Sequence, residues 1–106
     1  MKFKKANPKS ANGTSLMGEI DVSYTKLCKV FGEEHSSGDG YKTDAEWCLK
    51  FDDNGQVVIA TIYNYKSGKN YNGNRGTATS RIRDWHIGGH DPRALELVIF
   101  TINQGK

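Results

Sequence analysis

Asp44-Ala45-Glu46-Trp47-Cys48-Leu49-Lys50-Phe51-Asp52-Asp53-Asn54-Gly55-Gln56-Val57-Val58-Ile59-Ala60-Thr61-Ile62-Tyr63-Asn64-Tyr65 is the stretch that decides the fold. Asn54-Gly55 is the strongest short hairpin signal, because both residues tolerate the positive φ of a two-residue turn, and the runs on either side are strand-like. Taking these two as the turn sets a register: Asp53 faces Gln56, Phe51 faces Val58, Leu49 faces Ala60, Trp47 faces Ile62 and Ala45 faces Asn64. That side of the ribbon is apolar. The other side pairs Lys50 with Ile59, Cys48 with Thr61, Glu46 with Tyr63 and Asp44 with Tyr65, a mixture of charge, hydroxyl and ring suited to meeting something other than plain water.

Working outward toward the N-terminus, Glu19-Ile20-Asp21-Val22 alternates polar and apolar residues and runs into Ser23, a good helix N-cap. Leu27, Val30 and Phe31 then share a helical face, and Gly32 stops the helix. Residues 1–15 hold almost nothing apolar and are expected to form a flexible basic tail, leaving 16–106 as a single α+β domain. Between that helix and the hairpin, 33–40 reads as a loop; toward the C-terminus, 66–76, rich in Gly and Asn, reads as a mobile loop. Arg81 to Ile87 reads as a third main strand, with Trp85 and Ile87 on one side and Ile82 on the other. Gly88-Gly89 is expected to break the chain before Asp91 and Pro92 start a helix that runs to about Asn103, with Ala94, Leu95, Val98 and Ile102 as its stripe. The expected fold is therefore α+β: a small antiparallel sheet around the central hairpin 44–65, with two helices on one face.

Length and charge bound the function. One domain of 106 residues leaves much of its surface exposed, so a homo-oligomer, dimer or higher, would bury more of it. The formal charge of +3 favours an anionic partner without requiring DNA or RNA, since Lys2, Lys4, Lys5 and Lys9 of the tail carry four of the positive charges. No run approaches the roughly 18 apolar residues that span a bilayer, and the basic N-terminus lacks the apolar stretch of a signal peptide, so a cytoplasmic protein without membrane attachment is expected. Cys28 and Cys48 are too few for a disulfide scaffold and too far apart for a zinc site, and both are expected to be reduced and half-buried.

The residue types that do chemistry are scattered. His86 and His90 straddle Gly88-Gly89, and neither they nor His35 have a third ligand at motif spacing, so they read as surface or turn histidines. Asp52-Asp53-Asn54-Gly55 lacks the spacing and terminal Glu of a calcium loop and reads as a turn. Ile62-Tyr63 with Tyr71-Asn72-Gly73 faintly resembles the paired tripeptides of GIY-YIG nucleases, in which Tyr63 or Tyr71, Arg81 and a metal-binding Glu96 would act. Thr61 stands where the first Gly belongs, however, and Asn72 where the second Ile belongs. No serine elbow, Walker loop or dinucleotide fingerprint occurs. The expectation is a binder with no catalytic residue, metal or cofactor.

The candidate ligand site is a cluster of rings and cations: Tyr63, Tyr65, Lys66, Lys69, Tyr71, Arg75, Arg81, Arg83 and Trp85. Rings stack on bases, and ammonium or guanidinium groups pair with phosphates, so this mixture suits a nucleotide-like ligand. The loop from Ser67 to Gly76 has the composition of a lid. Tyrosines packed at a dimer interface beside solvated arginines are the alternative.

Lys29-Val30-Phe31-Gly32, Gly40-Tyr41-Lys42-Thr43-Asp44-Ala45-Glu46-Trp47, Ala60-Thr61-Ile62-Tyr63-Asn64-Tyr65-Lys66 and Asp84-Trp85-His86-Ile87-Gly88-Gly89 together resemble a small protein family of tailed phages, over roughly residues 19–100. The resemblance extends to anti-CBASS sponge proteins, which sequester the cyclic nucleotides made by bacterial defence enzymes. It implies a phage-encoded, non-enzymatic binder of a cyclic dinucleotide such as cGAMP, acting in the cytoplasm of the infected host to evade its defence. A small protein that docks on and inhibits a host defence enzyme is the second reading.

Overall fold

The computed structural model describes residues 2–104. Five strands form one antiparallel sheet in the order β1-β3-β4-β5-β2. They are β1 (Lys2–Lys5), β2 (Ser15–Asp21), β3 (Glu46–Asp53), β4 (Gln56–Tyr63) and β5 (Asp84–Gly89). The helices are α1 (Tyr24–Phe31), a single turn α2 (Lys69–Asn72) and α3 (Arg93–Gln104), with 3-10 turns at Pro8–Ala11, Gly73–Arg75 and Thr79–Arg81. This is a small α+β fold.

The hairpin has the register that its turn demands. Asp53 pairs with Gln56, Phe51 with Val58, Leu49 with Ala60 and Trp47 with Ile62. Asn54 at φ 55° and Gly55 at φ 90° make the turn, and the Asp52 carboxylate accepts the Gly55 N–H at 2.9 Å. Trp47, Leu49 and Phe51 of β3 join Val58, Ala60 and Ile62 of β4 and Trp85 and Ile87 of β5 in one buried layer, closed by Leu27 and Phe31 of α1 and by Ala94, Leu97 and Val98 of α3. Both longer helices therefore cover the same face. Ser23 caps α1 by accepting the Lys26 N–H at 3.0 Å, and Gly32 ends it.

Four expectations are corrected. First, the N-terminal segment is not a loose tail: Lys2–Lys5 pair with β3, Phe3 lies 5.2 Å from the ring of Phe31 and 5.8 Å from that of Phe51, and Ala6 is buried with its N–H on the Cys48 carbonyl at 2.9 Å. One phenylalanine anchors the strand, and the lysines around it are the residues an edge strand uses against further pairing. Second, Gly88-Gly89 does not break the chain but ends β5, paired with Thr61 and Ala60. A Cβ on Gly89 would stand 2.6 Å from that of Ala94, so the absence of a side chain lets α3 return close over the strand it follows. Third, Ile82 lies on the same buried side as Trp85, because the 3-10 turn Thr79–Arg81 precedes it and β5 begins only at Asp84. Fourth, His35 is no surface histidine: its Nδ1 accepts the Cys48 N–H at 3.0 Å, on the side where β1 has ended, and burial lowers its pKa. Both cysteines are free, Cys28 half-buried and Cys48 buried. No helix among the described residues is long and apolar enough to cross a membrane.

Candidate functional site

The face of the sheet opposite α1 and α3 carries a groove of about 340 Å³. β3 contributes Glu46, β4 contributes Thr61 and Tyr63, and the residues after β4 contribute Tyr65. Asp39, Lys42 and Thr43 form one bank, and Ala11 and Thr14 close the far end.

Two polar anchors build the bank. Asp39 Oδ1 accepts the N–H groups of Tyr41 at 2.8 Å, Lys42 at 2.8 Å and Thr43 at 3.1 Å, and these bonds, led by that of Tyr41, hold its carboxyl below the usual carboxylate range. The fully buried Asn64 accepts the N–H of Asp44 at 2.6 Å and of Ala45 at 3.1 Å, and donates to the Asp44 carboxylate at 2.9 Å and to Ser67 at 3.3 Å. The second oxygen of Asp44 accepts the Asn70 N–H at 3.0 Å. In this way the 39–44 loop is stitched to the 64–72 segment. The latter is therefore no mobile loop: it contains α2, and the Thr77 N–H returns to the Ser67 carbonyl at 3.0 Å.

The stitching closes a circuit of rings and ammonium groups. Tyr41 and Tyr71 lie 5.3 Å apart; Lys66 Nζ stands 5.3 Å from the ring centres of both Tyr71 and Tyr65; Lys42 Nζ stands 5.9 Å from Tyr65 and 5.8 Å from Tyr41. Each ammonium is thus shared by two rings, within cation–π range of both. All three tyrosines are exposed. Beside them His86 packs 5.5 Å from both Tyr63 and Tyr65, with its Nε2 3.3 Å from Glu19. Burial raises the pKa of Glu46, with the nearby Asp39 charge adding to it, and burial likewise raises that of Tyr63.

Of the nine residues expected from sequence, the groove and circuit unite Tyr63, Tyr65, Lys66 and Tyr71, and Lys69 is exposed on the same short helix as Tyr71. The other four make none of these contacts. Trp85 is fully buried, edge-on to Trp47 at 5.4 Å, with its Nε1 donating to the Val22 carbonyl at 3.0 Å, so no ligand reaches it. Arg83 pairs with Asp21 at 2.9 Å across the β2–β5 edge. Arg81 is exposed on a turn packed against α1, toward the helix-covered side, and Arg75 is exposed on the turn after α2. Sequence reasoning missed Tyr41, Lys42 and Glu46. No local signal marks the first two: Asp39 closes the turn that carries them, but only the contact of Asp44 with Asn64 brings that turn to the groove.

No group of three or more metal-ligating side chains occurs among the described residues. No protein-family model matches the chain, and no curated protein is significantly similar to it. The fold and groove define a small α+β domain with a ring-and-ammonium surface on the uncovered side of its sheet.

Proposed function

We propose that this protein binds a cyclic dinucleotide without altering it, and so withdraws that signal from a bacterial defence system during phage infection, in the host cytoplasm. The observation that carries the reading is the closed circuit Tyr41, Lys42, Tyr65, Lys66 and Tyr71. A cyclic dinucleotide presents two flat bases and two phosphodiester charges at fixed separation. Exposed rings supply stacking of about 1–3 kcal/mol per base, and ammonium groups already held between rings supply the countercharge without first having to be ordered. The resemblance to phage sponge proteins supports the same ligand class. A second copy of the chain would let a two-fold symmetric ligand meet two equivalent surfaces.

Thermal shift against a panel of cyclic dinucleotides tests the reading, since a ligand at 100 times its dissociation constant adds about 2.7 kcal/mol of stability. Heating the loaded protein and chromatographing the supernatant should return the ligand with its mass unchanged. New fragments would identify an enzyme instead. No shift with any member of the panel would favour docking on a host enzyme, for which exposed tyrosines are also suited.

A further inference from the structure

The groove holds two carboxylates in different situations. One Asp39 oxygen is occupied by three backbone N–H groups and lies in the turn it organises. The Glu46 carboxylate has no hydrogen-bond donor and no ion-pair partner among the described residues, although it is only partly exposed and sits on the groove floor opposite Tyr63. A half-buried carboxylate without a donor costs stability and gives the fold nothing in return. Thr43, its neighbour on the bank, has its hydroxyl engaged with the Asp39 N–H at 2.8 Å. Glu46 is therefore the carboxylate on the groove floor still free to accept, with the Tyr63 and Tyr65 rings beside it and Lys42 on the bank.

We propose that Glu46 determines base specificity: its two carboxylate oxygens accept the N1–H and N2–H of a guanine stacked against Tyr63 or Tyr65. Guanine is the common base whose Watson–Crick edge offers two adjacent N–H donors, which match two carboxylate oxygens in a bidentate, charge-assisted pair. Adenine presents the N1 lone pair at the same place, so its edge sets an acceptor against an acceptor. A site built around a buried polar group rejects a ligand that leaves that group unpaired more strongly than an apolar pocket rejects a difference in size. The ligand class is a guanine-containing cyclic dinucleotide, and the inference rests on the cyclic-dinucleotide reading above.

Titration calorimetry of the full chain and of Glu46→Gln with cyclic di-GMP, 3′,3′-cGAMP and cyclic di-AMP tests it. One guanine suffices for the pair, so the unaltered protein should bind cyclic di-GMP and cGAMP within about twofold of each other, and cyclic di-AMP at least about tenfold more weakly. Glu46→Gln offers one acceptor where two were needed, and should lose about tenfold or more toward both guanine ligands while the gap to cyclic di-AMP closes. Should Glu46→Gln prove unfolded by circular dichroism, Glu46→Asp, which keeps the charge but withdraws it by one methylene, is read in the same way. Equal or tighter binding of cyclic di-AMP by the unaltered protein, or unchanged affinity in the variant, overturns the role of Glu46 while leaving the cyclic-dinucleotide reading intact. Failure of all three ligands to bind the unaltered protein overturns both.

Discussion

The two faces of the sheet are made by the same strands in alternate residues, yet they solve opposite problems. On the helix-covered face, Trp47, Leu49, Phe51, Ile62, Trp85 and Ile87 are buried to 1% exposure or less, and both indole N–H groups find backbone carbonyls. On the other face, Glu46, Tyr63 and His86 are only half covered, and a turn built on Asp39 stands where a helix would otherwise pack. The covered face is specified by volume; the open face is specified by hydrogen bonds that hold loops above it. Substitutions should therefore affect stability on one face and recognition on the other.

The largest expected effect is on the covered face. Trp47→Ala should cost about 3–5 kcal/mol, enough to unfold a domain of this size, while Tyr63→Ala one residue position across the pleat leaves the monomer folded. Urea denaturation followed by circular dichroism reads both, and equal losses would erase the distinction between faces. Next comes Asn64→Ala, which leaves the Asp44 and Ala45 N–H groups without their acceptor at a cost of about 1–3 kcal/mol for each that stays buried. Hydrogen exchange should then show faster exchange at Tyr41–Asp44 and Ser67–Asn72 with the β3–β4 pairing retained. Tyr65→Ala and Lys66→Ala should each weaken cyclic dinucleotide binding about tenfold by calorimetry, whereas Arg81→Ala, on a turn packed against α1, and Arg83→Ala, already paired with Asp21, leave it unchanged.

The smallest effects are in pH dependence, where the faces have opposite signs. The Arg93 guanidinium, 2.9 Å from Asp53, holds that carboxyl below its ordinary value, so its stabilisation is present above the unfolded pKa and lost as pH falls through the folded one. Burial raises Glu46, so its contribution is present below the unfolded pKa and lost as pH rises through the folded one. Glu46→Gln should be more stable than the parent at neutral pH, with the difference disappearing in acid. Asp53→Asn should be less stable at neutral pH, with its difference also disappearing in acid. Thermal melts of the variants between acid and neutral pH check both signs.

The hairpin and its register were legible because Asn54-Gly55 leaves the chain one way to turn, and a period-two pattern then assigns every residue a face. The helix caps at Ser23 and Asp91 were equally local; the Asp91 carboxylate accepts the Arg93 N–H at 2.7 Å. Local signals also found Tyr63, Tyr65, Lys66 and Tyr71, which lie close along the chain. They could not find the bank opposite, because Tyr41 and Lys42 reach the site through the contact of Asp44 with Asn64, twenty residues apart in the chain. Trp85 was misread as a ligand residue because the strand holding it begins after a 3-10 turn that resets the alternation from Ile82. Lys2–Lys5 was misread as a tail because a short edge strand with one apolar residue has the composition of a disordered segment, and only the rings of Phe31 and Phe51 distinguish them.

The strand order has a consequence for how the chain comes into being. β1 and β2 are synthesised first, yet they occupy opposite edges of the sheet and pair with β3 and β5 rather than with each other. Neither can find its partner until some forty to sixty further residues have been made, so the first strands wait unpaired while the β3–β4 ribbon, whose contacts are local, forms. A chain cut short before Asp84 would have the β3–β4 ribbon with β1 on its edge and no partner for β2. β2 is then held from two sides, by β5 along its edge and by α3, which packs on β4 and β5 as well.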